Sequence, residues 1–165
     1  MSRLIATAFG IGLLRPAPGT WGSLAAVLLG WAIYRYAGFP TLVLATALVT
    51  ALGFWAIGRE LRDRPGEDPQ EFVIDEVAGQ WIALLFPALA FYERGFDGWL
   101  PWPAPVAAFL FFRLFDIWKP WLVGRADRRG DAAGVMLDDL WAGLFAGVAS
   151  ILAAAAYHLP MILWG

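Results

Sequence analysis

Apolar residues fall into five long runs separated by short polar, proline or glycine stretches. The runs cover about 20–37, 41–58, 75–91, 104–121 and 138–158. A helix needs roughly 20 residues to cross a bilayer, within a range of about 17–25, so each run sits near the lower limit or inside it. Pro40, Pro101, Pro103, Pro120 and Pro160 stand at run ends, where proline starts or stops a helix without breaking it. Pro87 lies inside the third run and predicts a kink. The pattern predicts one all-α domain over 1–165, a polytopic membrane bundle of about five membrane-inserted helices. The N-terminal stretch has one arginine, a poor small-residue cleavage pattern, and then Pro16, Pro18 and Gly19. It reads as mature sequence forming a short helix or a re-entrant segment rather than a signal peptide.

Composition agrees with a membrane protein. Hydrophobic residues make up 60% of the 165 and charged residues 16%, against about 45–50% and 25% in soluble domains. Cysteine is absent, which excludes disulfides and thiolate chemistry. No basic stripe with interleaved aromatics is present, so nucleic acid is not an expected partner. The ten tryptophans, several near run ends, fit interfacial belts.

The polar intervals 59–72 and 122–135 are charged and turn-rich. Five crossings would gather ten of the 12 basic residues on one face with the N-terminus, leaving Arg35 and Arg94 on the other. That asymmetry predicts a cytoplasmic charged face and an outer C-terminus. The same topology carries the starts of the third and fifth runs and the end of the fourth to that charged face.

Those three places hold acids: Asp75 and Glu76 in VIDEVAGQW, Asp116 in FFRLFDIWKPW, and Asp138 and Asp139 in GVMLDDLWAG. A carboxylate inside a bilayer costs several kcal/mol unless paired, hydrated or cation-bound. Asp75 and Glu76 could simply favour a helix N-terminus, and adjacent acids point about 100° apart, so one of the two is expected to face a site. Asp116 is disfavoured by the dipole at its helix end, and Arg113 lies three residues earlier on the same face. The bland reading there is a packed ion pair. Asp138 or Asp139 could be an N-cap. Three acidic groups together favour a hard divalent cation such as Mg²⁺. Arg113 and Lys119 are candidate phosphate partners, although Lys119 could instead snorkel. Gly19 and Thr20, at a glycine-rich helix start without a Walker pattern, could offer backbone N–H groups to an oxyanion. Glu60 and Asp68 are weaker outer candidates. The single histidine, His158, falls toward the opposite face.

Taken together and in order, PGTWGS, VIDEVAGQWIAL, FRLFDIWKPW and GVMLDDLWAG resemble the phosphatidylglycerophosphatase A family over about 9–147. Trp21 stands in PGTWGS where methionine is common in that family. The resemblance implies a bacterial inner-membrane enzyme that removes the terminal phosphate of phosphatidylglycerophosphate with Mg²⁺, giving phosphatidylglycerol. By position, Asp75, Glu76, Asp116, Asp138 and Asp139 match the family's acidic motifs and are the expected catalytic and metal residues, with Arg113, Lys119, Gly19 and Thr20 on the substrate. The attacking group is either a metal-activated water with a carboxylate base or an aspartate forming an acyl-phosphate. No DxDx(T/V) motif is present, which favours water. A small ion-coupled carrier, or a scaffold with a structural divalent ion, would also use intramembrane acids. The short chain without inverted repeats, with its acids at helix ends, argues against the carrier.

Overall fold

The computed structural model describes residues 1–63, 67 and 69–164, with side chains described as far as residue 158. Asp68 lies outside the described residues. The described chain is helical, with no strand. A short helix α1 (Ser2–Ala6) and a 3-10 turn over Ile11–Leu13 precede α2 (Pro18–Glu60). Then follow α3 (Ile74–Tyr92), α4 (Pro103–Trp118), α5 (Leu122–Asp127) and α6 (Ala132–Trp164). The expected short N-terminal helix is present, and its end is tied to the start of α3 where the Val73 N–H donates to the Ala6 carbonyl at 2.9 Å.

The 43-residue α2 is not one rod. Gly38, at φ 81 and ψ 169, interrupts it two residues before Pro40. Gly22 packs against Val73, whereas Gly53 packs against Ile74 and Met136. Thirty-one residues of straight helix would separate the two glycines by roughly 46 Å, yet both meet the same end of α3. The chain therefore reverses at Gly38, and α2 is two antiparallel arms that match the first two apolar runs. A left-handed φ here suits glycine, which has no Cβ to clash.

Three helices among the described residues are long and apolar enough to cross a membrane: α2, α3 and the Ala132–His158 part of α6. The fourth run yields only the 16 residues of α4, shorter than a full span. α3 runs through Pro87 without interruption. α3 is also the central helix: 61% of its apolar window is buried, against 33% for α2 and 28% for α6. On one side the Trp81 indole N–H donates to the Ala26 carbonyl at 2.7 Å. On the other, a Cβ at Gly143 of α6 would collide with the Gly79 carbonyl, and one at Gly79 would meet the Asp139 backbone and the Phe112 ring. α3 and α6 thus cross at backbone contact, as small residues allow in membrane bundles.

The two ends of the bundle differ. At one end Arg3 pairs with Glu71 at 2.8 Å and the Ser2 hydroxyl donates to Glu60 at 2.5 Å. At the other, Trp31 and Tyr34 donate to the carbonyls of Leu100 and Phe96. Leu28, Leu29, Leu44 and Leu48 are exposed between the ends, as lipid-facing positions would be. Exposed Trp118 and Trp121 flank the first end, and exposed Trp99 and Trp102 the second. Two aromatic tiers of this kind mark bilayer interfaces.

Because Gly79 and Gly143 meet through their backbones, Gly143→Ala should destabilise the protein by about 1–3 kcal/mol through overpacking. Gly58→Ala, where the new Cβ meets nothing within 4 Å, should be neutral or stabilising by about 0.5–1 kcal/mol. Thermal unfolding of both variants in detergent micelles checks the contrast.

Candidate acidic site

Helix α3 begins with its acids in the first turn. Asp75 is buried, and its Oδ1 accepts the Glu76 N–H at 3.0 Å. The close α3–α6 crossing brings Asp139, also buried, to the same place. One oxygen each from Asp75, Glu76 and Asp139 lies within 4.8 Å of the others. Oxygen-only donors at this spacing fit a hard divalent ion.

Two ion pairs flank the cluster. Arg113 Nη1 lies 2.5 Å from Asp116 Oδ2 and 3.4 Å from the Ser23 hydroxyl. The Asp116 carboxyl in turn lies against that of Asp139. Lys119 pairs with Asp138 at 3.2 Å and, more closely, with Asp127 of α5. Partial burial alone would lower the Lys119 pKa, but the Asp127 and Asp138 carboxylates outweigh it and hold the pKa above the ordinary lysine value.

Helix α2 closes the site from the N-terminal side. A Cβ at Gly19 would overlap the Glu76 carboxylate and lie 3.4 Å from Arg113 Nη1, so glycine is what lets the first turn of α2 rest against both groups. Thr20 is half-buried in the same turn, with its N–H donating to Ala17. Four buried polar atoms around this region have no hydrogen-bond partner among the described residues: Glu76 Oε2, Arg113 Nε, and Gln80 Oε1 and Nε2.

The expected convergence of the three acidic segments is present, but not as a uniform five-acid shell. Asp75, Glu76 and Asp139 form the cluster, whereas Asp116 and Asp138 stand in the flanking ion pairs. Both Asp75 and Glu76 reach the cluster, against the expectation that one would. The reason is enclosure: Asp75 lies near Asp138 and Asp139 of α6, while Glu76 lies against Gly19 of α2 and near Asp139 of α6 and Asp116 and Arg113 of α4. Asp138 and Asp139 are not caps, because α6 begins at Ala132 and they sit in its second turn. The interval 122–135, expected to be loop, contains α5, whose Asp127 engages Lys119. Glu60 bonds Ser2, and His158 packs beside Tyr157 at a ring separation of 5.1 Å. Gln80 and Asp127 were not among the expected site residues, and Ser23, expected only as part of the glycine-rich helix start, contributes its hydroxyl to Arg113. A glutamine four residues after Glu76 in an apolar run was the one available signal.

The sequence profile of the phosphatidylglycerophosphatase A family matches residues 4–154. A Bacteroides thetaiotaomicron protein provisionally named phosphatidylinositol-3-phosphatase is 40% identical over 146 residues, covering 86% of each chain. The Haemophilus influenzae phosphatidylglycerophosphatase A is 36% identical over 87% of this chain and 82% of its own. That of Escherichia coli is 33% identical over 96% of this chain and 85% of its own. No solved structure matches the chain significantly.

Three crowded carboxylates should make the fold respond to divalent ions. Mg²⁺ at about 100-fold over its dissociation constant should stabilise the protein by about 2.7 kcal/mol, read as a rise in melting temperature. Asp139→Asn should remove most of that rise, whereas Asp127→Asn, beyond the cluster, should keep it.

Proposed function

The chain belongs to the phosphatidylglycerophosphatase A family, and from that premise we propose that it is a Mg²⁺-dependent lipid phosphatase. Its reaction is hydrolysis of the terminal phosphomonoester of phosphatidylglycerophosphate, releasing phosphatidylglycerol and inorganic phosphate. The observation that carries this reading is the trio Asp75, Glu76 and Asp139 with the Arg113 guanidinium beside it.

Asp75, Glu76 and Asp139 would hold the metal, with Asp116 and Asp138 adjoining. When bound, Mg²⁺ supplies positive charge to the phosphoryl oxygens. Arg113 is suited to grip other phosphoryl oxygens, because guanidinium N–H groups match oxyanion geometry. Asp116 fixes the orientation of Arg113. The Gly19–Thr20 turn gives the substrate a close approach. Lys119, already shared between two carboxylates, would bind the headgroup more weakly and mainly keep α5 against α6.

In the reaction a water oxygen bonds to phosphorus, and the bond from phosphorus to the glycerol oxygen breaks. One carboxylate takes the water proton and gives it up again, and the leaving glycerol oxygen takes up one proton in its place, so that one water is consumed with no net change in bound protons. Charge is met mainly by positioned groups rather than by covalent chemistry. The absence of a DxDx(T/V) motif favours water over an aspartyl-phosphate. The lipid tails would remain among the apolar helices. The cation-rich end of the bundle would face the cytoplasm, in the bacterial inner membrane.

Detergent-purified protein should release phosphate from phosphatidylglycerophosphate with Mg²⁺ and not with EDTA. Asp116→Asn should lower kcat by about 10²–10³-fold with the melting temperature retained. Phosphatidylinositol-3-phosphate, offered in parallel because of one relative's name, should be the poorer substrate. Faster release from the inositol lipid would reassign the headgroup, and no release from either by folded protein would favour the carrier.

A further inference from the structure

Gln80 has no part in the chemistry above, yet it is fully buried in α3. It lies four residues after Glu76, one turn further along the same helix face. Neither atom of its amide has a hydrogen-bond partner among the described residues. Buried polar groups are nearly always paired, and an apolar side chain would fill this position without that cost. Packing alone therefore does not account for a glutamine here.

The other unpartnered atoms are complementary to it. Glu76 Oε2 is an acceptor and Arg113 Nε–H is a donor. The two residues are neighbours, since both lie against Gly19. With the Gln80 carbonyl and amide N–H groups, one helical turn from Glu76, they make a mixed set of donors and acceptors. Such a set suits ordered water, which takes two to four polar partners.

We propose that Gln80 is a positioning residue. With Arg113 Nε, it holds buried water against Glu76 Oε2 and so fixes the Glu76 carboxylate for its place in the cluster. The proposal deepens the metal-dependent phosphatase reading and rests on it. Partners that orient a metal-binding carboxylate typically change metal affinity by about 10–100-fold when removed.

The test uses full-length Gln80→Leu and Gln80→Met in detergent micelles. Melting temperature is measured with and without Mg²⁺, and phosphate release from phosphatidylglycerophosphate is followed as a function of Mg²⁺ concentration. In the absence of Mg²⁺ both variants should stay folded and melt close to the wild-type temperature, because an apolar side chain of similar volume fills the same buried position. The Mg²⁺ needed for half-maximal stabilisation, and for half-maximal activity, should rise by about 10-fold or more. If Gln80→Leu does not fold, Gln80→Met, unbranched and close in length, carries the measurement. Variants that match wild type in Mg²⁺ response within twofold, whatever their melting temperature, would overturn the proposal. A wild-type protein that binds Mg²⁺ but releases no phosphate would sink the phosphatase reading alone, because the shift in Mg²⁺-dependent melting would still report on Gln80.

Discussion

The site depends on the crossing of α3 and α6 at backbone contact. Gly79 and Gly143 have no side chains to hold the helices apart, so the polypeptide can bring Asp139 to the first turn of α3. Lipid gives no hydrophobic push to such a contact, and the gain must come from close packing. Close approach then imposes an electrostatic cost. Two unit charges of like sign 4 Å apart repel by about 4 kcal/mol at an effective dielectric of 20. Three carboxylate oxygens within 4.8 Å therefore form an arrangement that a cation would relieve. The glycines supply the geometry, and the geometry creates the demand for a positive charge.

The flanking cations divide that demand unequally. Arg113 spends one nitrogen on Asp116 and Ser23 and leaves Nε unpartnered. Lys119 is held by Asp127 and Asp138 together. A compact ammonium shared between two carboxylates has little charge left for an incoming oxyanion, whereas a planar guanidinium carries several directional donors. The two residues looked equivalent as phosphate partners in the sequence. Their neighbours make them different: Arg113 faces the reaction and Lys119 braces α5 against α6.

Much of this was legible in the amino-acid order. The hydropathy runs gave the helices, the charged intervals gave the end at which the acids meet, and Pro40 marked the break between the two arms of α2. What was not legible was opposition, meaning which element stands across from a given face. Helical periodicity placed Asp75 and Glu76 about 100° apart, but could not reveal that α2 packs on one side of α3 while α6 and α4 pack on the other. The same gap hid the partner of Ser23, because Arg113 comes to it from 90 residues away. Asp127 was obscured by a polar stretch that looked like loop and folds as α5. Asp138 and Asp139 looked like a helix start because hydropathy rises there, although the helix begins at Ala132 in a less apolar turn.

Depth along the helices weighs between the enzyme and the carrier. Asp75 is the second residue of α3, and Asp116 is two residues from the end of α4. Asp139 is seven residues into α6, roughly 10 Å from its start at 1.5 Å per residue. A hydrocarbon core is about 30 Å thick, so a relay serving both sides would need acids near its middle, reachable in turn from each face. Here the acids gather at one end, level with exposed Trp118 and Trp121, where an aromatic tier sits at headgroup depth. A lipid phosphomonoester is confined to that depth by its own tails. A carboxylate cluster at the helix ends can meet it without drawing the lipid out of the bilayer, and this match of depth is what a carrier has no need of.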